Sequence, residues 1–272
     1  MQIKDVMNTS PYTLTEDNSI LSASQYMAKE HIRNLPVTNS SGKLVGLITL
    51  REIVDAWSRD PRKTLIRETM LTTITSAEST LPLKGAVEIM VLNKFGCLPV
   101  TDSNKTLIGF VTESDLLKKL YQLVELTSET TTVKGIMNVQ TPSLYEDDLL
   151  SNASELMKQE RIRNLPIVDK TKKLVGLVTL REIVNAFSLI SGTEKIPIKS
   201  AMCTKIATIE EETLLQSAIE LMIVCKYGCL PVIRADGTFI GMISENILLK
   251  TLYGQIKVPE DFFAQRLGKY FT

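Results

Sequence analysis

A threonine followed three residues later by a carboxylate lies in the stretch Gly109-Phe110-Val111-Thr112-Glu113-Ser114-Asp115. Two kinds of chemistry use such a pair. Thr112 and Asp115 can form a capping box, each side chain satisfying one backbone N–H left over at the start of a helix. The same hydroxyl, carboxylate and N–H groups at a strand-to-helix corner also suit a ribose and its phosphates. One copy does not decide between them, but the pattern recurs. Thr49 and Glu52 end Gly46-Leu47-Ile48-Thr49-Leu50-Arg51-Glu52, and Thr179 and Glu182 end Gly176-Leu177-Val178-Thr179-Leu180-Arg181-Glu182. Ser244 and Ile247 hold the same places in Gly241-Met242-Ile243-Ser244-Glu245-Asn246-Ile247.

Each corner needs a strand that runs into a helix. Leu107 to Val111 reads as a short apolar strand, and a helix begins at Thr112 and continues through Leu116, Leu117 and Leu120. A Leu-Pro-Val or Leu-Pro-Ile strand precedes each corner, and Pro36, Pro99, Pro166 and Pro231 stand 63, 67 and 65 residues apart. A fixed period marks one structural unit repeated. In unit 1 the order is an opening element from Ile3 to Met7, a short extended piece at Tyr12-Thr13-Leu14, and a helix through Ala23 and Met27. Two strands joined by Asn39-Ser40-Ser41-Gly42 follow, then a second helix from Leu50 to about Trp57. Ala23/Met27, Ala86/Met90, Ala153/Met157 and Ala218/Met222 share a helix face at i, i+4 and read as core.

The units pair by similarity. Residues 43–57 and 173–187 differ only at Ile48/Val178, Asp55/Asn185 and Trp57/Phe187, and Lys94 to Val100 matches Lys226 to Val232 save for Phe95/Tyr227. A two-unit module was duplicated whole. The expected modules are 1–126, with units about 1–60 and 61–126, and 127–272, with units about 127–192 and 193–253. The polar stretch Thr127 to Thr132 connects them. In the tail 254–272 a short helix is expected from Glu260 to Leu267, its stripe of Phe262, Phe263 and Leu267 set against its own protein or, alternatively, against a partner subunit.

Composition narrows the function. The 31 basic and 31 acidic residues balance, and no helix-turn-helix or zinc signature stands outside the repeats, so nucleic acid is not an expected partner. No run approaches the ~20 apolar residues that span a bilayer, and the N-terminus lacks a signal-peptide core, so a cytoplasmic location without membrane association is expected. Cys97 and Cys229 precede Leu-Pro-Val and read as buried apolar groups. With His31 the only histidine, Cys225 and Cys229 lack the partners of a metal site. The chain has no Ser/His/Asp set, no Gly-rich phosphate loop and no carboxylate pair spaced for acid–base work, which argues against an enzyme.

Four units of this plan, each with a Leu-Pro strand and a Gly-apolar-apolar-hydroxyl corner, resemble CBS domains, the regulatory module named after cystathionine β-synthase. The resemblance covers residues 1 to about 253. It implies an α/β (α+β) fold of four β-α-β-β-α units in two tandem pairs. Each pair is a Bateman module, and the whole forms a disc-like pseudo-symmetric arrangement from one chain or from a homodimer. The plan is similar to that of the nucleotide-sensing subunit of AMP-activated kinase and of stand-alone prokaryotic CBS proteins. The implied role is regulatory energy sensing without catalysis. AMP, ADP or ATP would bind in clefts between paired units, and an effector protein would read the result. S-adenosylmethionine is the variant ligand, magnesium is left open, and a ligand-free scaffold whose acids only cap helices is the alternative.

Residue by residue, the resemblance implies that Asp115 accepts hydrogen bonds from ribose hydroxyls, that Thr112 offers a hydroxyl to ribose or phosphate, and that Val111 lines the cleft. Gly96, Cys97 and Leu98 would wall the adenine in unit 2, and Arg33, Asn34 and Leu35 in unit 1. Arg163, Asn164 and Leu165 take the same places in unit 3. Arg33 and Arg163 stand where phosphate contacts are common in the family, and pairing with acids on a neighbouring helix is the other reading of them. Thr13 would face the ligand from the first strand. Ile48, Thr49 and Glu52 form the corner of unit 1, and Val178, Thr179 and Glu182 that of unit 3. Two departures rank the sites. Glu52 and Glu182 are one methylene longer than the family's usual Asp and better suited to capping, and Ile247 removes the acid from unit 4. A charge-assisted hydrogen bond contributes about 1.5–3 kcal/mol. Its loss costs roughly ten- to a hundredfold in affinity. Unit 2 therefore ranks first, units 1 and 3 next and unit 4 last.

Overall fold

The computed structural model describes residues 1–123, 131–189 and 195–255. Unit 1 contains α1 (Ile20–Lys29), β1 (Asn34–Thr38), β2 (Leu44–Thr49) and α2 (Leu50–Ala56). Unit 2 contains α3 (Leu83–Asn93), β3 (Cys97–Thr101), β4 (Leu107–Thr112) and α4 (Glu113–Leu123). Unit 3 adds a first strand, β5 (Leu144–Tyr145), before α5 (Leu150–Gln159), β6 (Asn164–Val168), β7 (Leu174–Thr179) and α6 (Leu180–Leu189). Unit 4 has β8 (Ile209–Glu210), α7 (Leu215–Cys225), β9 (Cys229–Ile233), β10 (Phe239–Ser244) and α8 (Glu245–Gln255). The expected extended piece at Tyr12 to Leu14 contracts to one parallel bridge, Leu14 to Val37, and unit 2 has its equivalent at Ala77 and Val100. The expected tail helix and most of the expected connector lie outside the described residues.

Each hairpin has the same register, with Asn34 opposite Thr49, Cys97 opposite Thr112, Asn164 opposite Thr179 and Cys229 opposite Ser244. This register puts every corner hydroxyl beside the residue two before the Leu-Pro proline. Pleating then sorts the side chains, since successive residues of a strand face opposite sides. Leu35, Ile48, Leu98, Val111, Leu165 and Val178 face the helices and have no exposed surface. The paired Ala and Met positions of the four first helices are equally buried, at 0–1% exposure.

The units exchange their openings. The turn Ile3–Asp5 belongs by sequence to unit 1, yet Ile3 donates its N–H to Leu81 O at 2.8 Å, and Asn8 and Phe110 exchange backbone bonds. Likewise Leu71 bonds back to Leu47 of unit 1, Asn138 to Met242 of unit 4 and Cys203 to Leu177 of unit 3. Met7, Met70, Met137 and Met202 thereby lie on Gly109, Gly46, Gly241 and Gly176, where a Cβ would press on the methionine side chain. That close approach is why the residue before the two apolar strand positions is glycine in every unit.

Two hydrophobic cores result, and both cross between modules. One joins units 1 and 3, with α2 packed on α6, and takes in Ile66 and Ile198 from the exchanged openings. The other joins units 2 and 4, with α4 packed on α8, and takes in Ile3 and Val133. In the first, Trp57 meets Phe187 with ring centroids 6.0 Å apart. Arg51 donates to Met157 O at 3.1 Å and to Ile162 O at 2.7 Å, at the end of α5; Arg181 does the same to Met27 O and Ile32 O, at 3.3 and 3.2 Å, at the end of α1. A cation over terminal helix carbonyls satisfies acceptors the helix itself leaves open and complements its dipole.

Candidate functional site

A cleft of about 720 Å³ takes residues from all four units. At one end the unit 2 corner, with Phe110, Thr112 and Asp115, stands across from Tyr12, Arg33, Asn34 and Pro36 of unit 1. At the other end the unit 3 corner, with Leu177, Thr179 and Glu182, stands across from Ala207, Tyr227 and Gly228 of unit 4. A corner is thus completed by the neighbouring unit of its own module.

The helix starts explain each corner. Thr112 caps α4: its N–H and hydroxyl donate to Asp115 Oδ2 at 2.9 and 2.6 Å, and Asp115 N–H returns a bond to Thr112 Oγ1 at 3.3 Å. Only Oδ2 takes part; Oδ1 accepts none of these bonds. In unit 1 the Thr49 N–H donates to Glu52 Oε2 at 3.1 Å and its hydroxyl bonds the same oxygen, and unit 3 repeats this with Thr179 and Glu182 at 3.0 Å. Burial holds the Glu52 carboxyl above the usual range, against the lowering effect of its bonds to Thr49. In unit 4 only a long bond of 3.4 Å from Ile247 N–H to Ser244 Oγ is left. In all three acidic corners the cap thus takes only one carboxylate oxygen, Asp115 Oδ2, Glu52 Oε2 or Glu182 Oε2.

The cleft brings together seven of the expected residues, Thr112, Asp115, Arg33, Asn34, Asn164, Thr179 and Glu182, while Thr49 and Arg163 line a separate small chamber. It does not include Val111, Ile48, Val178, Leu35, Leu98 or Leu165, whose side chains belong to the cores. The side chain expected from Val111 is instead Phe110, one residue earlier on the cleft side of the pleat. Gly96 and Cys97 lie away from the Asp115 cleft too; Gly96 rests against the Arg163 guanidinium, and burial pushes the Cys97 thiol up to about 12. Thr13 is exposed beside Tyr12 but does not line the cleft.

Arg33 and Arg163 are not free cations. Arg33 Nη2 bonds Glu245 Oε2 at 2.7 Å and Arg163 Nη1 bonds Glu113 Oε2 at 2.8 Å, each joining the two modules. The carboxylate side chains are buried, at 5% and 3% exposure, while the arginine side chains are 36% and 35% exposed. Asn246 Nδ2 adds a bond to Glu113 Oε1 at 3.3 Å. Of the two readings of these arginines, the pairing with acids is the one present, and Arg33 keeps an exposed edge on the cleft. Arg33, Arg51, Arg163 and Arg181 also surround a small chamber of about 70 Å³ between units 1 and 3. Burial, together with Arg163, holds Arg51 below the ordinary arginine value, and burial with Arg33 does so for Arg181.

Sequence reasoning missed Glu113, Glu245, Arg51 and Arg181. The signal was alternation: units 2 and 4 carry Glu directly after the corner hydroxyl and units 1 and 3 carry Leu, while only units 1 and 3 carry Arg three residues before the proline. Among the described residues no group of three His, Cys, Asp or Glu side chains is placed to hold a metal ion, and no helix is long and apolar enough to cross a membrane.

The comparisons agree with this architecture. The model of the CBS domain matches residues 3–59, 66–122, 133–189 and 198–254. Protein MJ1225 of Methanocaldococcus jannaschii is 25% identical over 196 residues, covering 68% of this chain and 70% of that protein. Its crystal structure, described as that of a candidate archaeal homologue of g-AMPK, superposes with a TM-score of 0.84 at 21% identity, over 92% of this chain and 99% of that one. A conserved uncharacterised protein of Pyrococcus horikoshii superposes at 0.64 and 22% identity, over 93% of this chain and 100% of that one. Homoserine O-acetyltransferase of Methanococcus vannielii is 27% identical over 132 residues, and that match spans 27% of the enzyme's length and 48% of this chain. With four matched repeats filling most of its length, the chain belongs to the CBS domain family.

Proposed function

We propose that the chain is a regulatory sensor that binds an adenine nucleotide (AMP, ADP or ATP) at the Asp115 corner and acts by binding alone. The observation that carries this is the division of labour within Asp115: Oδ2 closes the helix cap, while Oδ1 accepts no cap bond in a cleft that is already open. A ribose diol donating to Oδ1 adds contacts without breaking the cap. Asn34 and Pro36 offer backbone edges to a base, and Arg33 and Lys118 favour phosphate over the cationic sulfonium of S-adenosylmethionine. Because the cleft draws on both modules, its occupancy changes how they pack against each other, and an effector protein reads that change.

The second reading, a ligand-free scaffold, is favoured by one observation: the three acidic corners are all satisfied as caps. Isothermal titration of AMP, ADP, ATP and S-adenosylmethionine into wild type and Asp115→Ala separates the two. The sensor reading expects one adenosine ligand to bind and to weaken roughly ten- to a hundredfold in the variant. No binding at millimolar concentration leaves the scaffold. Melting gives an independent check, since ligand at 100 times its Kd adds about 2.7 kcal/mol.

A further inference from the structure

Two equivalent helices carry an apolar side chain out into solvent. In α3 seven of the eleven residues are apolar, and in α7 eight are. A helix apolar nearly all round belongs inside a core. Both helices do pack into the core that joins units 2 and 4, yet Leu92 of α3 is 65% exposed and Val224, its equivalent in α7, 78%. What differs is where the chain goes next. α8 packs on α3, and its last turn sets Tyr253 beside Glu88: burial, and after it the Glu88 charge, push the Tyr253 hydroxyl up to about 12. Leu92 is one turn beyond Glu88 on the same face of α3. Seventeen residues follow Gln255 at the end of α8, and Phe262, Phe263 and Leu267 are among them. Val224 stands in the same way beyond Glu220, which bonds Tyr121 of α4. There the chain is committed to Thr131, whose carbonyl accepts from Leu215 N–H at the opposite end of α7.

From this we infer that residues 260–267 dock on the exposed end of α3, with Phe262 and Phe263 on Leu92 and its half-buried neighbours Val91 and Phe95. The seven residues from Gln255 to Phe262 reach up to roughly 25 Å, against about 5.4 Å for the one turn between Glu88 and Leu92. Charge agrees: Glu260 and Asp261 directly precede the phenylalanines, and Lys94 is exposed two residues after Leu92. One leucine with two half-buried neighbours falls far short of the ~800 Å² per partner that a stable association between separate chains buries. A tethered segment needs less, because its local concentration is of millimolar order. Docked there, the end of the second module is pinned to a helix of the first. None of Leu92, Val91, Lys94 and Phe95 lines the cleft, so the surface is separate from the Asp115 corner.

Trypsin cleavage after Arg266 in the full chain, followed by mass spectrometry beside a synthetic peptide of residues 256–272, tests this. The wild type is expected to be cut at least about tenfold more slowly than the peptide, because only the undocked population is open to the protease. Leu92→Asp is expected to restore the rate of the peptide, Lys94→Glu to recover part of it, and Val224→Asp to change nothing. Phe263→Asp alters only the tail and is expected to match Leu92→Asp, which separates release of the tail from damage to α3; thermal melts check that each variant folds. Wild-type cleavage at the rate of the peptide overturns the inference, as does a rate indifferent to Leu92→Asp or raised equally by Val224→Asp. Protection that fades on dilution from micromolar to nanomolar chain puts the tail on a second copy and overturns it too.

Discussion

Units 1 and 3 meet each other, and so do units 2 and 4, yet the two pairs are built on different terms. Units 1 and 3 are nearly one sequence through their second hairpin strand and second helix. Where they meet, each gives the other the same groups: Trp57 for Phe187, and the Arg51 grip on α5 for the Arg181 grip on α1. A two-fold interface asks one surface to complement itself, so both copies stay alike. Units 2 and 4 keep the buried Glu113 and Glu245 that receive the arginines of units 1 and 3, but their corners part, with Asp115 in one and Ile247 in the other. Both pairs join the modules, but only between units 2 and 4 do the corners differ in kind.

The comparison can be broken at its centre. Trp57→Ala is expected to cost about 3–5 kcal/mol in urea unfolding, as a large truncation in a shared core does; a loss below about 1 kcal/mol would deny that units 1 and 3 form such a core. Next comes Arg51→Met, which leaves the carbonyls at the end of α5 without their guanidinium and is expected to cost about 1.5–3 kcal/mol. A matching loss in Arg181→Met, with the double variant no worse than additive, would show two equal and separate grips. The corners sharpen the contrast. Thr112→Ala should lose about 1 kcal/mol, the usual value of a good cap, whereas Ser244→Ala should lose only tenths, because its cap bond is long. Equal losses would erase the difference between units 2 and 4. The smallest effect is in pH. Burial raises the folded-state pKa of Glu52 above its ordinary 4.5, so folding favours the protonated carboxyl. Its contribution is full below that value and fades as pH rises through the raised one. Glu52→Gln should flatten that decline, measured as unfolding free energy from pH 4 upward, and an unchanged slope would assign it to another group.

The sequence carried the repeat, the corners and the buried Ala and Met positions because each is a local pattern of spacing. It did not say which unit meets which across the modules. Arg33 and Glu245 are 212 residues apart, and near-identical repeats give every cross-module pairing the same local appearance. Val111 belongs to the core and Phe110 to the cleft, and the pleat of the strand already implies this. Neighbours on a pleated strand face opposite sides, so with Thr112 on the cleft its companion is Phe110, and Val111 turns inward. The exchanged openings were not legible because the segment from Ile3 to Met7 has the same sequence pattern whether it folds onto its own unit or the next.

That exchange sets an order in time. Ile3 and Met7 are made before the places they occupy, since Leu81 and Gly109 follow them by about 80 and 100 residues. At roughly 5–20 residues per second the opening segment waits on the order of 5–20 seconds for its seat. Unit 1 meanwhile waits for Ile66 and Met70 before its own glycine strand is covered. A nascent single unit therefore has a strand face exposed at Gly46 and an apolar segment without a partner, and it becomes a finished surface only when its neighbour has been translated.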